Sequence, residues 1–346
     1  MVQYKRYKLQ LELKSRLGTP LSADTLFGHL CWGIVYHEGQ GRLTEFLQQM
    51  KSSTPPLIIS DPLPAGYLPT PKLPLGTIAD EWIADYTERK KILKTQWLRI
   101  DLMQGLLDNL TCQTLYKSLE EQHKQNRNEA FTPFQAATVT SNTINRITQH
   151  TAEEGGLYTQ TDYFPKDHAN NFDVYIISTF REEEYIKQIF QWGLEAGYGR
   201  DVSTGRGRID VGQITPLDDW PAAKNPNSII TLGVCAPAAD DPADGFWNIE
   251  VRFGKVSGAW ATLFDKPFKY PLLLLTAGSL LSPCPANPND KPYIGRIVEQ
   301  IHPENKQIVT YALAPFITVN ASCPGLTTAP NPQNQQDVSA ISQEDT

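Results

Sequence analysis

Apolar and polar residues alternate along the start of the chain, with Tyr7, Leu9, Leu11 and Leu13 on one side and Lys8, Gln10, Glu12 and Lys14 on the other. That period of two predicts a half-buried strand over residues 4–17. After the turn Gly18-Thr-Pro-Leu-Ser22 the period becomes helical: Ser22 or Asp24 can cap the helix, and Leu26, Phe27, Leu30, Cys31 and Ile34 form its apolar stripe. A second helix follows Gly39 or Gly41, carried by Leu43, Phe46, Leu47 and Met50. Residues 54–76 are proline-rich. Each proline fixes φ and removes a donor, so this segment is expected to run extended across the surface. Residues 79–125 have a helical pattern, with Arg89, Lys90, Lys91, Lys94 and Arg99 as a basic cluster that reads first as a solvated face and second as an RNA contact.

Residues 131–165 are polar, rich in Thr, Asn and aromatics, and carry Gly155-Gly156 near their middle. They predict an extended hairpin or loop with arms at 138–148 and 157–164, projecting to contact something, with a poorly ordered insertion as the alternative that its length allows. Phe172 to Thr179 is β-rich. Glu182-Glu183-Glu184 then opens a helix at the end where acids suit the macrodipole, with Tyr185, Ile186, Ile189 and Phe190 buried, and a strand follows at Arg208–Ile214. Strand, helix, intervening strands, strand, helix, strand is the βαββαβ order of a ferredoxin-like or RRM-like domain. Past a linker at 216–228, strand-like runs recur at Ile229–Val234, Trp247–Phe253, Tyr270–Leu275, Ile294–Val298 and Ile308–Val319, with no long helical pattern between them. The expected fold class is therefore α+β. A first RRM-like domain spans 1–215, with an insertion at 79–165; a mostly β, degenerate copy spans 229–322; and a Pro/Gln/Asn/Ser-rich tail at 323–346 is expected to be disordered.

Composition narrows the function classes. With 346 residues the chain can fill two domains. The longest apolar run, Pro271 to Leu281, falls short of the about 20 residues that span a bilayer and is broken by Thr276 and Gly278, so no membrane span is expected. The first residues lead directly into the strand, so no signal peptide is expected and the chain is expected in the cytoplasm. The five cysteines are scattered without a Cys-x-x-Cys spacing, which supports neither a disulfide frame nor a zinc site, and no metal or cofactor is expected. A net charge of -7 argues against indiscriminate coating of nucleic acid but permits a local basic groove.

Such a groove is suggested by residues 197–208. Gly197, Gly199, Gly205 and Gly207 surround Arg200, Arg206 and Arg208, with Ser203 and Thr204 between them. Glycines free the backbone for close approach, hydroxyls and N–H groups donate to phosphate oxygens, and arginine adds a planar charged fork. The same composition also describes a flexible connection with solvated arginines. No nucleophile elbow, Walker loop or dinucleotide fingerprint occurs, since Gly197-x-Gly199 follows a helix and not a strand. Among the six histidines, His29 shares a helix end with Asp24 and Thr25, either as a site or as a packed side chain; the others lie in unrelated contexts.

Several stretches together resemble a known family. The first strand with Ser22-Ala-Asp-Thr-Leu-Phe-Gly-His-Leu-Cys-Trp32 looks like the opening of RAMP-superfamily CRISPR proteins, and the Gly-rich loop is similar to that superfamily's signature loop. Gly66-Tyr-Leu-Pro-Thr-Pro-Lys-Leu-Pro74, Asn145-Arg-Ile-Thr148 with Gly156-Leu-Tyr158, and Gly295-Arg296 followed by Ile301-His302 and Tyr311-Ala-Leu resemble subunit four of type III-A (Csm) effectors, a Cas-five-type RAMP. The resemblance implies two RRM-like domains and a non-catalytic role in antiviral defence at the foot of the complex. There the chain would hold the repeat-derived 5′ tag of the CRISPR RNA (crRNA), meet target RNA only indirectly, and bridge the large Cas10-type subunit to the backbone RAMP subunit. Carried onto this sequence, it implies that the loop wraps the tag, with Arg200, Arg206 and Arg208 on phosphates. Ser22, Asp24, Thr25 and His29 would add contacts from the helix end, and Asn142, Asn145, Arg146 and Thr148 would serve as thumb residues; Tyr158 would either stack on a base or pack across its hairpin. The alternatives are a repeat-processing endoribonuclease with His29 as general base and a protein-only assembly adaptor.

Overall fold

The computed structural model describes residues 3–75, 86–126, 131–151, 156–166, 169–256 and 265–326. The expectation of a disordered tail falls mainly on residues 327–346, and Gly155 and His168 also lie outside the described residues, as do positions 79–85 of the insertion.

The alternating residues of β1 (Lys5–Leu13) bury Tyr7, Leu9, Leu11 and Leu13, as their period requires. β1 lies in the middle of the first sheet, antiparallel to β8 (Asn171–Ser178) on one side and β9 (Ile209–Pro216) on the other; β2 (Leu57–Ile59) and β3 (Leu63–Pro64) pair with β8. Helix α1 (Ala23–Glu38), followed by α2 (Gln40–Met50), leaves β1, and α6 (Glu183–Leu194) joins β8 to β9. The order β2-β8-β1-β9 with these two crossovers is the βαββαβ arrangement predicted. The helices α1 and α6 cross closely at Gly33 and Gly193: a Cβ on Gly33 would lie 2.6 Å from the Gly193 nitrogen. Any larger residue there would push α6, and the loop that follows it, off the sheet.

The second sheet joins β10 (Ser228–Thr231), β11 (Asp244–Phe246), β14 (Leu280–Ser282), β15 (Tyr293–Val298) and β16 (Thr310–Val319) in the order β11-β14-β10-β16-β15, with all neighbours antiparallel. Its first four positions repeat the second-third-first-fourth order of the first sheet. No helix is present among the described residues from 217 to 326, so between its described strands this half shows no counterpart of the two crossover helices of the first sheet. A separate ribbon pairs β12 (Ile249–Arg252) with β13 (Leu272–Leu275).

Two expectations are corrected here. The proline-rich segment is extended, as predicted, but it is buried between the sheets: Leu57, Ile58, Ile59 and Leu63 are fully covered, and the Tyr311 hydroxyl accepts from Ile59 N–H and donates to Ile59 O. Prolines suit that position because they carry no N–H to leave unpaired. The insertion also does more than extend the first domain. β5 (Trp97–Arg99) pairs with β4 (Tyr67–Pro69), and with α3 (Tyr86–Leu93), α4 (Ile100–Leu106) and α5 (Cys112–Gln125) it buries Leu98, Met103, Leu106, Leu115 and Leu119 against Ile230, Leu232, Leu280 and Ile317 of the second half. One apolar core thus ties both halves to the insertion. The remaining pair, β6 (Phe134–Asn142) and β7 (Leu157–Pro165), is the projecting hairpin; its second arm lies as predicted and its first is shifted toward the base.

Candidate nucleic-acid interface

The Gly-rich loop leaves α6 and returns as β9, making a 3-10 turn at Val202–Thr204 between Asp201 (φ 58°) and Gly205 (φ 82°). Most of its backbone donors are already used: Tyr198 N–H bonds Gly207 O at 2.8 Å, Gly207 N–H bonds Arg16 O at 2.8 Å, and Arg208 N–H bonds the Ser15 hydroxyl at 2.9 Å. Gly207 is required by the chain itself, since at φ 70° a Cβ would sit 1.9 Å from Tyr198 O. Gly197 and Gly199 likewise pack against Val202 and Thr19. The loop glycines therefore fold the loop back on itself and do not clear space for a ligand; among them only Gly205 has nothing within 4 Å of its Cβ position.

The arginines divide into two kinds. Arg206 is 7% exposed, and its Nε lies 3.0 Å from both carboxylate oxygens of Asp162, itself fully buried in β7; its Nη1 donates to the Thr204 hydroxyl at 2.6 Å. Arg206 therefore locks the loop onto the hairpin's base, a correction to its expected place on a phosphate. Arg16 (2.9 Å) and Arg200 (3.7 Å) approach the same carboxylate but keep 38% of their side chains exposed, and Arg200 also donates to Thr161 O at 2.5 Å. Arg208 is exposed, with no side-chain partner among the described residues. Three guanidiniums around one carboxylate leave this corner net positive, with Arg16 and Arg200 half-exposed and Arg208 turned toward solvent beside exposed Ser203, Thr204 and Gly205.

The end of the first helix is enclosed. Ser22 is buried, its N–H donates to the Tyr198 hydroxyl at 2.9 Å, and its own hydroxyl donates to Asp24. Ala23 N–H donates to Asp61 at 2.7 Å, and Asp24 faces Arg252 at 3.7 Å. Thr25 bonds Tyr198. His29 accepts the Gly199 N–H on Nε2 at 2.9 Å, and burial pushes the imidazole down to about 4, so it is neutral at pH 7. Its lone pair holds the loop and is not free to take a proton. Ser22, Asp24, Thr25 and His29 thus support the loop from behind, where donors and base contacts to RNA were expected.

The hairpin residues gather at the other end. Asp162 pairs with Ala137, and Asn142 lies five residues further, about 17 Å along the strand at 3.4 Å per residue. Asn145 shapes the tip: its Oδ1 accepts from Ile147 N–H at 2.9 Å and Thr148 N–H at 3.3 Å. Asn142, Arg146 and Thr148 are exposed there beside Ile144 and Ile147, and Tyr158 is exposed on β7 near the tip. The expected site is therefore two zones joined by one hairpin. Asp162 and Arg16 went unrecognised in the sequence because a single acid in a polar strand and an arginine beyond a strand end carry no spacing signal. An open groove of about 1110 Å³ runs beside the loop, with Lys14, Ser15 and Arg208 on one wall and His37, Trp192 and Glu195 on the other.

No protein-family model matches the sequence, and no curated protein matches it. Solved structures do. A chain of a Csm1-Csm4 cassette bound to AMPPNP aligns at 17% identity and a TM-score of 0.55 over 92% of this chain and 99% of its own. A chain of the same cassette bound to cA4 aligns at 16% and 0.53, and one of a Csm3-Csm4 subcomplex of the type III-A CRISPR-Cas interference complex at 17% and 0.55 over 90% of this chain. The subunit common to these assemblies is Csm4. The fold of this chain is the Csm4 fold.

The exposed Arg208 guanidinium and Ser203 hydroxyl have the chemistry to pair with anions, and the hairpin tip presents exposed Asn142, Ile144 and Ile147. Among the described residues no group of acids, histidines and cysteines could hold a metal, and no helix is long and apolar enough to cross a membrane.

Proposed function

We propose that this chain is a non-catalytic crRNA-binding subunit of a type III-A CRISPR effector, gripping the 5′ tag of the crRNA and bridging a Cas10-type large subunit to the backbone subunits. The observation that carries this reading is the Asp162 cluster: a buried ion pair fixes the Gly-rich loop to the base of a projecting hairpin, with half-exposed Arg16 and Arg200 around the same carboxylate and Arg208 outward beside them. That is a rigid, preorganised grip for a backbone, with a tip about 17 Å away to meet the next nucleotides. Ser203, exposed beside the open Gly205 position, completes the phosphate-facing rim, while the Thr204 hydroxyl and the Gly205 N–H are spent inside the loop on Asp201 O and Val202 O; Asn142, Arg146 and Thr148 contact RNA beyond the tag. Gly197, Gly199, Gly207, Asn145, Arg206 and the residues Ser22 to His29 act by holding these two zones in shape.

The protein partners follow from the neighbours' assemblies, which pair Csm4 with Csm1 and with Csm3. Exposed apolar side chains on β12 and β13, with Val251 at 62% and Leu273 at 66% facing each other across the ribbon, support a protein-covered surface. The endoribonuclease reading loses its base, since His29 Nε2 is occupied by Gly199 N–H. Reconstitution tests the proposal: complexes assembled with this chain carrying Arg16→Ala and Arg208→Ala should bind crRNA with a flatter salt dependence, by about 0.7 in log–log slope for each phosphate no longer neutralised. An unchanged slope would refute the loop assignment, and metal-independent cleavage of repeat RNA that disappears with His29→Ala would refute the non-catalytic role.

A further inference from the structure

Away from the arginine corner, two thiols meet. Cys112 is the first residue of α5, where the Thr111–Thr114 capping box holds the helix start in place. Cys323 lies just past the end of β16. Leu110 and Ala321 form an isolated parallel bridge: Leu110 N–H donates to Asn320 O at 2.9 Å, and Ser322 N–H donates to Leu110 O at 2.9 Å. Two residues beyond that bridge on each side, the Cys112 and Cys323 side chains share a hydrogen bond, and the Cys112 N–H donates to the Cys323 sulfur. At the bridge itself the two chains run about 5 Å apart, which sets Cys112 and Cys323 on adjoining segments just beyond it. Both residues are free thiols packed on the core shared by the insertion and the second sheet. Cys31, Cys235 and Cys284 belong to other packing clusters.

We propose that Cys112 and Cys323 are a disulfide-forming pair, oxidised by a small-molecule disulfide, whose bond ties the helical insertion to the end of the second sheet. In the first step the Cys323 thiolate attacks the oxidant, forming a mixed disulfide and releasing one small thiol. The Cys112 thiolate then attacks the Cys323 sulfur and releases the second. The oxidant gains two electrons and the two protons that the protein thiols lose, and no other reagent is needed. Burial and the neighbouring sulfur push the Cys323 thiol up to about 12, which keeps thiolate scarce and the reaction slow against brief exposure. The bond closes a long loop and lies apart from the loop arginines, so it should raise thermal stability and leave RNA affinity unchanged.

The test is peptide mapping of the folded full-length chain after prolonged incubation with oxidised glutathione at mildly alkaline pH, followed by alkylation of the remaining thiols. The expected result is one dominant linked peptide joining Cys112 to Cys323, with Cys31, Cys235 and Cys284 alkylated, and a raised Tm that returns to its starting value on reduction. Cys323→Ser should remove both the linked peptide and the Tm shift, and prior unfolding in urea should scatter the pairing. Alkylation of both thiols after oxidation, a glutathione adduct on Cys323 that never resolves, or dominant pairing with another cysteine would each overturn the proposal.

Discussion

Arg206 and Arg208 stand two residues apart in the same loop, and the structure gives them opposite roles that a pair of alanine variants can separate. Arg206 is 7% exposed, with its Nε 3.0 Å from each oxygen of a fully buried Asp162. Removing one partner of a buried pair costs about 3–5 kcal/mol, because the remaining charge stays out of water. Here Arg16 at 2.9 Å and Arg200 at 3.7 Å still face the carboxylate, which lowers the cost of Arg206→Ala to about 2–3 kcal/mol. For a chain of this size that corresponds to a fall in Tm of about 5 °C. Arg208→Ala removes an exposed, unpartnered side chain and should change stability by less than about 0.5 kcal/mol. In RNA binding the order reverses: Arg208→Ala lowers the salt slope by about 0.7, the share of one single-strand phosphate. Thermal unfolding by circular dichroism and filter binding at several salt concentrations measure both quantities on the same preparations. Equal Tm values for the two variants, or an Arg208→Ala protein with the parent salt slope, would refute the division of roles.

The other predictions test the surroundings. Gly207→Ala should destabilise the loop well beyond the about 1–2 kcal/mol of left-handed strain alone, because its Cβ would lie 1.9 Å from Tyr198 O; limited proteolysis between 197 and 208 reports it. Burial pushes the Asp61 carboxyl from 3.8 up to about 7, so between those values the unfolded chain is ionised while the folded one holds its proton, and this residue's contribution to stability falls as pH rises from about 4 to about 7. Asp61→Asn keeps an acceptor for Ala23 N–H and should remove that slope in urea titrations at stepped pH; a variant that follows the parent's pH dependence would count against a buried, protonated Asp61. Val251→Glu with Leu273→Glu should leave Tm unchanged, since both side chains are exposed, and should abolish co-purification with a Csm1- or Csm3-type partner; retention of both partners would exclude the ribbon as a docking surface.

The first sheet was legible because its signals are local. The two-residue period of β1, the acidic start of α6 and the apolar stripe of α1 each specify an element without reference to the rest of the chain. The hairpin was legible as a polar excursion with its second arm in place, and the limits of its first arm moved because Phe134 to Ala137 at the base pair with Asp162 to Pro165. What escaped was long-range. The proline-rich segment looks like surface by composition, yet Leu57 to Leu63 line the seam between two sheets, and nothing local announces a second sheet above them. Gly-Arg composition pointed correctly to one loop but not to the fate of each residue in it. Arg206 became a structural ion pair only because Asp162 arrives from a hairpin 44 positions earlier. His29 fits either a site or a packed side chain by its place beside Asp24 and Thr25, and the Gly199 N–H that occupies its Nε2 comes from 170 positions away.

The central claim is that this chain grips the 5′ tag of a crRNA, and nuclease footprinting of crRNA in the assembled effector tests it most directly. Protection should begin at the 5′ tag with the parent chain and disappear there, with the guide still covered, when Arg16, Arg200 and Arg208 are replaced by alanine in a chain that still folds and assembles. A tag equally protected in complexes that lack the chain altogether would contradict the account.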